Sequence, residues 1–216
     1  GGPAGCAAAI AAGRLGVSVL LLEATGTPGG MGTSGLVTAF DPMANGERGL
    51  VGGIMLEIVE TLYERGQLPP QVRPEFWRRD YHRWTQFRVE PLKRLLDELL
   101  ADAGVEVRLF TTVMAADADA KAGRVHGVVT HNIEGLRCIR ADAFIDCTGD
   151  AVLADLAGAA CRTNPEFMPG SLTSLHAGID WSREPGKHEH ERLADAIADG
   201  HFTQADRHLP GLSRVG

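Results

Sequence analysis

The chain has 216 residues, 44% hydrophobic and 23% charged, with 27 Gly and 11 Pro against 7 Phe, 3 Trp and 2 Tyr. That balance excludes a disordered, collagen-like or coiled-coil chain. A formal charge of −7 argues against a polyanion as partner, because nucleic-acid binders carry a basic surplus.

The four cysteines, Cys6, Cys138, Cys147 and Cys161, form no CxxC pair and no zinc spacing, so no disulfide framework or metal site is expected. A reducing, cytoplasmic setting fits. The best candidate apolar run, Val17 to Leu22, is strand-sized and far short of the roughly 20 residues of a membrane helix. No membrane span is expected.

In chain order, Gly1-Gly2-Pro3-Ala4-Gly5 reads as a loop and Cys6 to Leu15 as an Ala-rich helix stopped by Gly16. Val17 to Leu22 has the continuous apolar character of a parallel strand buried on both faces. A second Gly-rich stretch runs from Gly26 to Gly35. Leu50, Ile54, Ile58 and Leu62 recur every four residues and predict a helix over 48–65, stopped by Gly66. After a Pro-rich connector, Pro91 opens a second helix through Leu92, Leu95, Leu96, Leu99 and Leu100 to Gly104. Val105 to Phe110 reads as a strand. From Thr111 to Arg140 short β segments with turns at Ala122-Gly123 and Glu134-Gly135 predict an antiparallel meander. Ala143-Phe144-Ile145 reads as a short buried strand entering Asp146-Cys147-Thr148-Gly149-Asp150, and 151–159 as a helix. Beyond Cys161 the periodicity fades. The order of elements is that of an α/β fold: a Rossmann-like parallel sheet with an inserted meander, plus part of a second domain.

Gly2 and Gly5 have the spacing of the second and third glycines of G-x-G-x-x-G. The second lets the backbone approach a pyrophosphate, and the third lets helix and strand pack closely. Glu23 ends the following strand 18 residues after Gly5, where an acid accepts hydrogen bonds from a ribose and disfavours a 2′-phosphate. Loop, helix, strand and acid in this order predict a bound dinucleotide. A plain NAD domain would next enter another crossover. Here Gly29-Gly30-Met31-Gly32-Thr33-Ser34-Gly35 follows at once, and a second backbone-exposing loop suits a larger ligand, so a flavin dinucleotide is favoured over NAD.

These stretches, with Leu22-Glu23-Ala24 and Phe144-Ile145-Asp146-Cys147-Thr148-Gly149-Asp150, resemble the ordered FAD motifs of glutathione-reductase-like flavoproteins. The nearest likeness is to the FAD-dependent oxidoreductase family, which is itself similar to the flavin part of heterodisulfide reductase and, more distantly, to fumarate reductase flavoproteins. Arg124 to Val129, leading to Ala141-Asp142-Ala143, is similar to that family's meander. The resemblance covers residues 1–180.

It implies FAD as cofactor. Gly2, Pro3, Ala4 and Gly5 would face the pyrophosphate, Glu23 and Ala24 the adenosine ribose, and Gly30, Met31, Thr33, Ser34 and Gly35 the phosphates and flavin. Val113 would meet the adenine through its backbone, while Thr148, Gly149 and Asp150 form the second crossing near the cofactor. The FAD-binding domain is then 1–39 with 89–162, and a partial cap or substrate domain is 40–88 with 163–216. The family's leading Gly, its first strand and its closing Gly-Asp motif are absent from the sequence, which predicts a fragment of a longer chain. No His stands in the second glycine loop for covalent attachment. The implied activity is flavin-mediated hydride or electron transfer with a small-molecule substrate or electron donor. The alternatives are an electron-relay protein serving an iron-sulfur partner, an NAD-dependent enzyme, or a nonfunctional fragment.

Other clusters read more simply. Phe76, Trp77, Tyr81, Trp84 and Phe87 interleave with Arg78, Arg79, Arg83 and Arg88; positions 77, 81, 84 and 88 fit one packed helical face better than a nucleic-acid platform. A cap over the flavin, with an Arg holding an anionic substrate, is the functional alternative. His188-Glu189-His190-Glu191 reads as a solvated surface and His176 as a hydrogen-bonded structural residue. Cys6 reads as a small packing residue and Cys147 as an unreactive thiol without a partner.

Overall fold

The computed structural model describes residues 1–81, 83–166, 170, 172–178 and 189–201. The chain forms two compact units, Gly1–Thr173 and Ser174–Gly216.

In the first unit, helix α1 (Pro3–Arg14) carries Pro3 in its first turn, where its missing N–H costs nothing. Gly16 then turns the chain with φ 81°. Strand β1 (Leu20–Leu22) pairs in parallel with β4 (Glu106–Arg108), Leu20 opposite Glu106 and Leu22 opposite Arg108. The strand is shorter than the apolar run that predicts it, and Val17 is 58% exposed. Its partner sets the limit: β4 follows directly on the Gly104 turn, and its first bond is from the Glu106 N–H to the Val19 carbonyl, 3.0 Å.

Between these strands lie α2 (Gly53–Glu64), α3 (Glu75–Arg78) and α4 (Val89–Asp102). Leu50 is not part of α2. A bridge between Ala44 and Gly49 folds the chain back, the Leu50 N–H donates to the Met43 carbonyl at 2.8 Å, and Leu50 is left 57% exposed. The α4 helix buries Val89, Leu92, Leu95, Leu96, Leu99 and Leu100. Each such side chain contributes about 1.5–3 kcal/mol by leaving water. The five leucines form one core with Cys6, Ala9 and Ile10 of α1, Leu21 of β1, Ile58, Val59 and Leu62 of α2, and Trp77 and Phe87.

The aromatic stretch does not form one helical face. The α3 helix is a single turn, after which the chain extends into β3 (Thr85–Gln86), antiparallel to β2 (Ala39–Phe40). Trp77 and Phe87 are fully buried, Phe87 stacking on Phe40 with ring centroids 4.2 Å apart, whereas Tyr81 and Trp84 are each 59% exposed.

Strands β5 (Thr112–Asp119), β6 (Arg124–Asn132) and β7 (Gly135–Ile139) form the antiparallel meander in sequence order. Residues 143–145 do not form the predicted strand. They have no ladder partner among the described residues, and Ile145 is 68% exposed; a strand exists through its pairing, not its apolar content. The helix predicted at 151–159 is the shorter α5 (Val152–Leu156).

In the second unit the faded periodicity predicts no element, yet α6 spans Glu189–Ala198. His188 lies outside the described residues. His176 is exposed, with Nε2 2.9 Å from Ser174 Oγ. No helix among the described residues is long and apolar enough to cross a membrane.

Candidate dinucleotide site

The site is built where α1 begins and β1 ends. The Gly1 nitrogen donates to the Leu22 carbonyl at 2.8 Å, and the Gly1 carbonyl accepts from the Gly29 N–H at 2.8 Å. One residue thus ties the first glycine loop to the strand and to the second glycine loop. No side chain caps α1. The Cys6 N–H is spent on the Gly2 carbonyl at 2.9 Å, which leaves the Ala4 and Gly5 N–H groups of the first turn as an anion-binding end. A Cβ at Gly2 would meet no heavy atom within 4 Å, so the backbone there is open to a ligand. At Gly5 a Cβ would lie 3.4 Å from Cys147 Cβ and 3.5 Å from Leu21 Cδ1. That is ordinary contact, and Gly5 is less constrained than the fingerprint logic demands.

Glu23 is only 7% exposed at the C-terminal end of β1. Its Oε1 accepts from the Thr25 N–H at 2.7 Å, and Oε2 lies 3.3 Å from the Gly1 nitrogen. Burial raises its pKa, but hydrogen bonds from the Thr25 side chain and backbone oppose it, and the carboxyl is held below its ordinary value. The group is therefore an ionised acceptor at neutral pH. Ala24 beside it is exposed.

The second loop is packed rather than open. Gly29 and Gly30 have left-handed φ of 103° and 48°. A Cβ at Gly30 would be 3.0 Å from Gly2 Cα, so the two loops meet backbone to backbone. Thr33 is fully buried, and its hydroxyl donates to the Pro28 carbonyl at 2.7 Å; it braces the loop from inside. Met31 is 62% exposed. Ser34 lies at the loop's outer side, with Oγ 2.9 Å from Thr25 Oγ1, and Gly35 returns its N–H to the Gly30 carbonyl at 2.9 Å.

The remaining residues reach the same region from later in the chain. The Thr111 N–H donates to the Glu23 carbonyl at 2.9 Å, which brings the start of β5 beside the acid. Val113 is half-buried opposite Thr130, and the register shifts between Val113 and Ala115. A bulge leaves backbone groups there outside the ladder. Cys147 touches the Gly5 position, which places the Asp146 turn against the start of α1. Thr148, Gly149 and Asp150 are exposed on that turn.

Sequence reasoning overlooked what holds the turn. Asp146 Oδ1 accepts from the Thr148 N–H at 2.9 Å and the Thr148 hydroxyl at 2.8 Å, and Oδ2 accepts from the Ala154 N–H at 2.9 Å. Burial raises the Asp146 pKa, but these donors dominate and hold it low. The Asp-x-Thr pattern is a legible Asx-turn signal. Cys6 is buried and its Sγ–H donates to the Gly1 carbonyl at 3.1 Å. Burial pushes its thiol pKa up, as suits a packing residue rather than a reactive one.

Two glycine loops in contact, amides free at a helix start and an ionised acid at the end of the adjacent parallel strand are features of a dinucleotide-binding α/β fold. The chain belongs to the FAD dependent oxidoreductase family, whose model matches residues 1–177, and FAD is its cofactor. No curated protein matches the chain. Among solved structures it is similar to Thermovibrio ammonificans THI4, with 19% identity over 74% of this chain and 61% of that one, TM-score 0.49. It is similar to AlpK, with 20% identity over 73% of this chain and 32% of that one, TM-score 0.48. A third likeness is to CabE, an aromatic hydroxylase from angucycline biosynthesis, with 17% identity over 92% of this chain and 47% of that one, TM-score 0.47. The chain therefore spans between about a third and three fifths of these proteins' lengths.

The residues present fit the cofactor. The open Cβ direction at Gly2 and the Gly2–Gly30 contact make a side-chain-free surface of the kind a pyrophosphate needs, bordered by free amides.

Proposed function

We propose that this chain supplies the FAD-binding part of an enzyme that transfers hydride or electrons between the flavin and a small-molecule substrate or electron donor. Bound FAD supplies the redox centre, and the protein supplies binding, position and electrostatics. The observation that carries this is the meeting of Gly2 and Gly30 beside the ionised Glu23. Gly2, Pro3, Ala4 and Gly5 would hold the pyrophosphate through backbone amides. The Glu23 carboxylate would accept from the ribose hydroxyls, with Ala24 alongside and the Val113 backbone at the adenine. Gly30, Met31, Ser34 and Gly35 would border the flavin side, with Thr33 bracing them from within. Thr148, Gly149 and Asp150 would line the second crossing.

Residues 40–88 we assign to the substrate side. Support comes from Arg88, at the N-cap of α4, whose Nε is buried without a hydrogen-bond partner among the described residues. A half-buried guanidinium with an unmet donor suits an anionic substrate. The four free cysteines support work in a reducing compartment such as the cytoplasm.

Purification of the full-length protein tests the proposal. A yellow protein with a flavin spectrum that bleaches on addition of a small organic donor is the expected result. A colourless protein that binds no added FAD overturns it.

A further inference from the structure

Phe110 is held in an unfavourable state beside Glu23. It follows β4 with φ 50°, the left-handed region that a bulky side chain rarely adopts. The residue is 69% exposed. A glycine or asparagine would tolerate this backbone and leave no apolar ring in water.

The conformation is fixed from several sides. The Phe110 N–H donates to the Thr25 carbonyl at 3.0 Å, and the next residue, Thr111, donates to the Glu23 carbonyl at 2.9 Å. The ring lies over Gly26, where a Cβ would come within 2.6 Å of Phe110 Cζ and 3.2 Å of Cε1. One part of the ring is seated on bare backbone, and the side chain remains largely open to solvent. Strain of this sort persists where the surrounding structure over-determines it, and such places cluster at ligand sites.

The geometry points to Phe110 as a stacking platform for the adenine of the bound dinucleotide. A purine is a flat π-system of the class that stacks on an aromatic ring. The ring stands at the Glu23–Thr25 corner, where Glu23 accepts from the ribose, and the inference rests on that assignment. Glu23 would fix the sugar through hydrogen bonds and Phe110 the base through its face. No sequence motif marks the position, because the left-handed backbone and the seat on Gly26 arise only from folding.

The test uses the full-length protein stripped of FAD, as wild type and as Phe110→Ala, Phe110→Tyr and Phe110→Gly. Dissociation constants are measured for FAD, and for ADP and UDP as competitors. Phe110→Ala should weaken FAD about tenfold, the order of one base–aromatic stack, and should erase a wild-type preference for ADP over UDP. Phe110→Tyr should bind as wild type. Phe110→Gly should raise the melting temperature of the apoprotein, by relieving the backbone, while weakening FAD as alanine does. Unchanged FAD affinity in Phe110→Ala and Phe110→Gly overturns the inference, as does an equal loss of ADP and UDP binding. A wild type that binds neither FAD nor ADP overturns the assignment of this corner to adenosine as well, and so separates the two failures.

Discussion

The two glycine loops use the same residue for opposite purposes. In the first, a Cβ at Gly2 would meet nothing and one at Gly5 only ordinary contacts, although one at Gly1 would strike the Glu23 side chain. In the second, a Cβ at Gly29 would lie 2.6 Å from Thr33 Cγ2 and 2.7 Å from Leu96 Cδ1, and one at Gly35 2.9 Å from Met31 Cα. In the first loop only Gly2 is open; Gly1 is bare because the Glu23 side chain fills the space beside it. The second is bare because the protein itself fills the space, with α4 beneath it and the first loop against it. Glycine content marks close backbone approach, and only the surroundings tell whether the neighbour is ligand or protein.

Substitution at Gly29 should break the comparison most severely. Gly29→Ala adds a side chain to a left-handed backbone and drives it into Thr33 and Leu96. It should destabilise by about 3 kcal/mol, lowering Tm in thermal denaturation by roughly 10 °C. A loss below a third of that would mean the loop yields easily.

Gly2→Ala should separate folding from binding. We expect Tm unchanged and FAD affinity weakened by about tenfold or more, since the new methyl occupies the open approach to the pyrophosphate. Equal FAD binding by the variant and the wild type in titration calorimetry would remove Gly2 from the site. Gly5→Ala, whose added Cβ would make only ordinary contacts, should leave Tm little changed.

The acid between the loops gives a smaller, pH-dependent effect. The Glu23 pKa is lowered in the folded chain. Its ionised form therefore adds stability that is present above the unfolded value of about 4.3 and is lost as pH falls through the lower folded value. Glu23→Gln removes this contribution. The gap in Tm between wild type and variant should be full at about pH 6–7 and close below about pH 4. A gap independent of pH would show that Glu23 acts by shape and not by charge.

Much of this frame was legible in the sequence. The four-residue apolar repeat placed α2 and α4, Ala content and the Gly16 stop placed α1, and short β segments with glycine turns placed the meander. The glycine spacing and Glu23 marked the candidate site before any contact was known. What escaped lay in long-range pairing. Leu50 fits the period of α2 but is turned out by the Ala44–Gly49 bridge. The aromatics from 76 to 87 fit a helix but are split by β3 pairing with β2. Residues 143–145 have the apolar content of a strand but no ladder among the described residues.

By itself the sequence determined that an α/β chain carries two glycine-rich loops around an acid, since spacing, Gly content and apolar period are local properties. Tertiary structure alone decided which glycines are open and which are filled. It turned Thr33 inward, gave Asp146 the task of holding the later turn, and forced Phe110 into a left-handed backbone beside Glu23. The reason is physical: burial, donor partners and strain depend on neighbours distant in the chain, which no local pattern encodes.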